Sequence, residues 1–213
     1  MSLIALATEA VQFTPFTPID TYLLKVEAFY HVDMNSILAW TTGHTRFRYL
    51  LACIYDGLVY QMTFLPLILI ILGRLSTVRE YYFLMLLTVI IGFVFYYFFP
   101  TTAPASVITN PLFYPSQLAT GLKFNQIHNY IIPTTLDGGL IALPSYHVIW
   151  AILSVYTLKE WPILCVALGL VNLLLIASCV LLGWHYVIDV MGGLLVVGLS
   201  FCALQWVKKN KID

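Results

Sequence analysis

The chain reads as an all-α protein, a polytopic membrane bundle of about five to six transmembrane helices. Three observations predict this. Of its 213 residues, 61% are hydrophobic and 9% charged, where a soluble domain carries about 25% charged residues. A water-soluble fold of this length has too little interior to hide so much apolar surface. Five stretches, near 50–73, 81–99, 141–158, 162–183 and 186–207, are long and apolar enough to cross a bilayer, which takes about 20 residues.

The elements follow in order. Residues 1–47 are mixed, with Pro15, Pro18 and scattered charges, and read as interfacial helices lying on the bilayer, with 2–13 inserting shallowly. The first 12 residues lack a basic n-region, so no cleavable signal peptide is expected. Residues 48–207 form the membrane-embedded bundle, punctuated by short polar links at 74–80, at Lys159-Glu160 and at the Gly183-Trp184 corner. The 100–140 connection is long for a structureless loop. Asn110-Pro111 and Asp137-Gly138-Gly139 mark turns in it, and 116–124 reads as a short interfacial helix. Residues 208–213 form a basic cytoplasmic tail.

Formal charge is zero, which gives nucleic acid no electrostatic handle. Cys53, Cys165, Cys179 and Cys202 all fall in apolar runs without CxxC or Cys/His pairing. They are expected to be small buried side chains, neither disulfides nor a zinc site. The many Tyr and Trp residues are expected mainly in interfacial belts and core. Alternation of the spans puts 1–47, 100–140 and the His185 corner on one side of the membrane. The other side collects Arg74, Arg79, Lys159, Lys208, Lys209 and Lys211. Those six basic residues lie in about 16 loop residues, against four in about 90 on the first side, so the second is cytoplasmic by the positive-inside rule.

Chemistry concentrates at the non-cytoplasmic end. His185 and Asp189 are four apart at the start of an apolar run, so on a helix they share a face. The carboxylate then holds one ring nitrogen and leaves the other outward, an arrangement that makes a histidine nucleophile or base. A carboxylate inside a hydrophobic span is by default functional. Pro144-Ser145-Tyr146-His147 opens another span; Pro144 suits a first helical turn, whose free N–H groups and the Ser145 hydroxyl would favour an anion such as phosphate. Thr101 and Thr102 end the second span, Ser178 lies near the end of the fourth, and Asp56 just inside the first; with Ser145 and Tyr146 these are candidate substrate contacts. His31, His44 and His128 have no partner at a telling spacing. No carboxylate cluster for magnesium and no third zinc ligand accompanies the two histidines, so neither metal nor cofactor is expected.

Ser178-Cys179, five residues, His185, three residues, Asp189 has the spacing of the Ser-Arg-x5-His-x3-Asp signature of the type-2 phosphatidic acid phosphatase superfamily. Pro144-Ser145-Tyr146-His147 is similar to its Pro-Ser-Gly-His signature. Across roughly 50–207 the sequence resembles most the branch of inositol phosphorylceramide synthase and sphingomyelin synthase. The resemblance implies a helix bundle of that type, a lipid substrate with a phosphate headgroup, and a phospho-histidine intermediate. It also implies His185 as nucleophile, Asp189 as its orienter and His147 as general acid and later base. Three departures stand out: Tyr96 to Ser106 holds no basic residue where Lys-x6-Arg-Pro is the pattern, the signature arginine is Cys179, and the signature glycine is Tyr146. Few cations suit a singly charged phosphodiester better than a nearly doubly charged monoester. The expectation is therefore headgroup transfer, with lipid or polyprenyl phosphate hydrolysis as the alternative. A non-enzymatic transporter or lipid-binding protein is the reading from another class, and the almost purely apolar lower halves of the last three spans count against a pore.

Overall fold

The computed structural model describes residues 3–135 and 141–210, and among them it is helical with no strand. The turn expected at Asp137-Gly138-Gly139 and the end of the basic tail lie outside the described residues. The N-terminal segment forms α1 (Leu3–Val11), α2 (Asp20–Phe29) and α3 (Met34–Gly43). Asp33 starts α3 as its N-cap, accepting from the Asn35 and Ser36 N–H groups at 3.1 and 3.2 Å, as an orphaned first turn requires.

The bundle follows: α4 (Thr45–Asp56), α5 (Leu58–Ile71), α6 (Leu75–Phe98), then a 3-10 turn at Pro104–Ser106, α7 (Pro115–His128), α8 (Tyr146–Thr157), α9 (Pro162–Leu181) and α10 (Val187–Lys209). Pro115 and Pro162 occupy first helical turns, where the missing N–H leaves no gap. Helices α6, α9 and α10 are each long and apolar enough to cross a membrane. The span expected near 50–73 is instead a pair, α4 and α5, bent by 41° at Asp56-Gly57. The helix expected at 116–124 is longer, and the span expected from 141 becomes helical only at Tyr146.

Short α8 is the centre of the bundle, packed against α5, α6, α9 and α10. Its Val148, Ile149, Ala151 and Leu153 are fully buried. The outer faces carry exposed Leu86, Ile90, Leu173 and Leu195, which only hydrocarbon solvates without cost. The protein is an integral membrane helix bundle. Cys53 and Cys202 lie on that outer surface and only Cys179 is buried, which corrects the expectation that all four cysteines are interior: where the solvent is lipid, an apolar thiol gains little from burial.

One polar pair locks the bundle from within. The Asn172 and Gln61 side-chain amides exchange two hydrogen bonds of 2.9 Å, and Asn172 also donates to the Ala151 carbonyl at 2.8 Å. This ties α5, α8 and α9 where no water competes. Asn172→Leu is expected to lower stability by about 0.5–2 kcal/mol, measured by unfolding in detergent, because it also strands Gln61.

Candidate active site

The site is built at the end of the bundle where α8 and α10 begin. Gly183 makes the corner after α9: its φ of +77° is open to glycine and strained for other residues. From there the His185 N–H donates to the Cys179 carbonyl at 2.9 Å. Asp189 is the third residue of α10, and its Oδ2 accepts from the Tyr186 N–H at 2.9 Å. That is one half of a capping box, and it fixes the carboxylate. The same oxygen lies 3.3 Å from His185 Nδ1, and the Ala142 carbonyl oxygen lies 3.1 Å from that nitrogen. Both neighbours can only accept, so Nδ1 carries the proton and Nε2 holds the lone pair. His185 and Asp189 are 5% and 0% exposed, so this tautomer has no water to compete for it.

His147 comes from the first turn of α8. The Ser145 N–H donates to the Asp189 carbonyl at 3.0 Å, which sets the start of α8 against the first turn of α10. The two imidazoles face each other with centroids 5.7 Å apart, at 60°. Beside them is a narrow pocket of about 20 Å³, lined by Tyr55, Ala103, Thr120, Ile141, Ala142, His147, Trp184 and His185. Tyr55 stacks on His147 at 4.0 Å and on Trp184 at 5.5 Å. Ala103 sits at φ +73°, a strained conformation of the kind that gathers at functional sites.

The structure therefore brings His147, His185 and Asp189 together and turns the other singled-out side chains away from the pocket. The Ser145 hydroxyl is buried beside Cys179. Tyr146 reaches back to α6, its hydroxyl donating to the Val89 carbonyl at 3.1 Å over Gly92. Ser178 bonds its own helix at the Leu175 carbonyl, 2.6 Å away. Asp56 is exposed at the end of α4. Thr101 accepts from the Leu143 N–H at 2.9 Å, bracing the chain just before α8. Thr102 is bound by Asp20: its N–H lies 3.1 and 2.9 Å from the two carboxylate oxygens. The basic residues of this side go elsewhere. Arg48 donates to the Leu112 carbonyl at 2.9 Å and lies over Tyr114, Lys123 pairs with Glu9 at 3.1 Å, and Arg46 is exposed.

Sequence reasoning missed four contributors: Tyr55, Trp184, Asp20 and Glu27. Asp20 and Glu27 are buried acids of α2, one on Thr102 and the other accepting from the Val187 N–H at the start of α10. They seat the N-terminal segment behind the His185–Asp189 pair. Burial raises the Asp20 carboxyl to about 6; the Thr102 N–H pulls it down and the Asp189 charge pushes it up. Burial likewise raises Glu27 to about 6. A carboxyl whose pKa is higher folded than unfolded takes its proton preferentially in the folded protein. Its contribution to stability therefore grows as pH falls through about 6 and levels off below about 4. Between about pH 7.5 and about pH 5 the wild-type melting temperature is expected to rise relative to Asp20→Asn; a constant difference would mean that Asp20 does not titrate in that range.

Fold and site together define an integral membrane helix bundle with two facing histidines, one backed by a carboxylate, at one end. The chain belongs to the PAP2 superfamily, whose sequence model matches residues 21–203. That makes it a membrane enzyme of the phosphatase and phosphotransferase class. Searches of curated proteins and of solved structures each returned no significant match.

Proposed function

We propose that the protein transfers the phospho-headgroup of a phosphodiester lipid to an acceptor alcohol through a phospho-histidine on His185, as in the inositol phosphorylceramide and sphingomyelin synthase branch. The observation that carries this reading is the His185 Nδ1 held between two acceptors, the Ala142 carbonyl and Asp189, which leaves Nε2 as a fixed lone pair. Nε2 attacks phosphorus and the bond to the lipid alcohol breaks, while His147 delivers a proton to the departing oxygen. The acceptor hydroxyl then gives its proton to His147 and attacks the phospho-histidine, releasing His185. Asp189 positions His185 and offsets the charge that forms on it.

Charge favours the diester. Among the described residues no lysine or arginine lines the pocket, and the first turn of α10 is already taken by Asp189 and Glu27. The positive end of the α8 dipole is what remains for a phosphate. One negative charge is within its reach; the nearly two of a monoester are poorly compensated. The opposite end of the bundle holds Arg74–Glu160 and Lys208–Glu80–Lys159, with Arg79 alongside. By the positive-inside rule that end is cytoplasmic and the histidines face the periplasm, a lumen or the exterior.

The test is phosphorus NMR of the purified protein with phosphatidate, common phosphodiester lipids, diacylglycerol and ceramide. A new phosphodiester, absent with His185→Ala, is the expected result and identifies the headgroup. Free phosphate from phosphatidate would overturn the transferase reading in favour of the phosphatase.

A further inference from the structure

We propose that Asp20 of α2 is a positioning residue for the reaction: by holding the Thr102 N–H it fixes Ala103 in a left-handed conformation and so sets a wall of the pocket that the two histidines share. The inference rests on the reading of that pocket as the place of reaction, and it holds for transfer and hydrolysis alike.

The wall is the segment 101–103, between the end of α6 and the 3-10 turn. Ala103 lines the same pocket as His147 and His185. Its φ of +73° and ψ of 162° belong to a region that a Cβ disfavours. Such a conformation persists only where the surroundings over-determine it. Here they do. The Thr101 carbonyl accepts from the Tyr96 hydroxyl at 3.3 Å, and the Thr101 Oγ1 accepts from the Leu143 N–H at 2.9 Å. The Thr102 carbonyl accepts from the Ser106 hydroxyl at 2.7 Å. Asp20 takes the remaining groups of Thr102. The Thr102 N–H lies 3.1 and 2.9 Å from its two carboxylate oxygens, and the Thr102 hydroxyl donates to one of them at 3.2 Å.

Asp20 is 2% exposed, and among the described residues no lysine or arginine forms an ion pair with it. A buried carboxylate without a cation is costly. Two things offset that cost: the donors of Thr102, and the positive end of α2, of which Asp20 is the first residue. A residue needed only to seat α2 on the bundle has no use for buried acceptor oxygens. Leu23, buried on the same face of α2 and clustered with Leu143 and Tyr186, does the seating by packing alone. Without Asp20 the Thr102 N–H becomes a buried donor with no acceptor, and Ala103 is free to relax toward negative φ. The wall then shifts relative to both imidazoles, and a displacement of about 1 Å at a reacting centre can cost about 10²-fold in rate.

A double-mutant cycle tests this, with turnover of the lipid mixture above and thermal unfolding measured on each purified protein. Asp20→Ala is expected to lower kcat about 10–100-fold with KM little changed. Asp20→Asn, whose amide oxygen still accepts from the Thr102 N–H, is expected to recover most of that rate. Glycine adopts positive φ without enforcement, so in an Ala103→Gly background the loss from Asp20→Ala is expected to be smaller by about fivefold or more. Leu23→Ala is expected to lower the melting temperature and leave kcat of the folded protein near that of the wild type. Additive effects in the cycle, an Asp20→Asn no faster than Asp20→Ala, an equal loss of kcat in Leu23→Ala, or a wild-type kcat in Asp20→Ala would overturn the proposal. Should Asp20→Ala fail to accumulate as folded protein, recovery of folded, active enzyme by Ala103→Gly supports the proposal and its absence overturns it. Unaltered turnover in His185→Ala would defeat the reading of the pocket itself. A dead His185→Ala beside an unaltered Asp20→Ala defeats only the role given to Asp20.

Discussion

His185→Ala is expected to lower turnover by about 10⁴-fold or more and to leave the melting temperature near that of the wild type, measured on the purified protein with the lipid mixture described above. The imidazole is a small part of the packing at the α8–α10 contact, but it carries the lone pair that attacks phosphorus in the proposed reaction. Asp189→Asn separates orientation from attack. An amide can present an N–H to His185 Nδ1, which favours the tautomer with Nε2 protonated and useless as a nucleophile. In hydrolytic triads a change of this kind costs on the order of 10⁴-fold. Equal and severe losses in the two variants, with folding intact, would mark the pair as one functional unit. A near-normal Asp189→Asn would show that the Ala142 carbonyl alone suffices to hold Nδ1–H.

The second large effect is expected away from any ionisable group. A Cβ added at Gly193 would stand 2.9 Å from the Ser145 carbonyl oxygen and 3.0 Å from Val148. Backbone is what stands in the way, so there is no flexible side chain to yield. Gly193→Val should force α8 away from α10, lose the hydrogen bond from the Ser145 N–H to Asp189 and widen the gap between the histidines. Overpacking of this kind costs about 1–3 kcal/mol or more. Activity is expected to fall with it even in molecules that remain folded. The check is to compare thermal stability and turnover in Gly193→Val with the same pair of measurements in Gly198→Val, where an added Cβ meets nothing within 4 Å. Matching behaviour of the two would refute the close-approach argument.

What could be read from the chain beforehand was whatever repeats at short range. His185 and Asp189 announce themselves because a helix brings positions four apart together, and the spans because a bilayer demands long apolar runs. Tyr55 gives no such sign. Its partner lies 92 positions away, and a tyrosine near the end of a span is ordinarily a belt residue. Asp20 and Glu27 reach contacts 82 and 160 positions distant, so their burial depends on how α2 docks. The break at Asp56-Gly57 was visible as an acidic residue and a glycine inside an apolar run, yet hydropathy averages across such an interruption. Tyr146 and Ser178 sit in the right motifs, but the rotation of each helix about its own axis decides whether a hydroxyl meets the pocket or its own backbone.

The covering of the pocket has a kinetic meaning. Gln117 of α7 donates to the Leu182 carbonyl at 2.9 Å, Gly121 lies hard against Ser106, and Thr120 and Ala103 line the pocket with the histidines. Helix α6 runs on past Gly92, where it meets Tyr146, for about 9 Å before it ends at Phe98. In the proposed reaction the phosphorylated intermediate would be sheltered there from the bulk solution, and its fate would be a race between two arrivals. Water must pass the α7 cover, while a lipid alcohol is already concentrated in the surrounding leaflet. If the proposed transfer holds, partition between transfer and hydrolysis is set by the permeability of that cover, and loosening it should raise hydrolysis at the expense of transfer without touching either histidine.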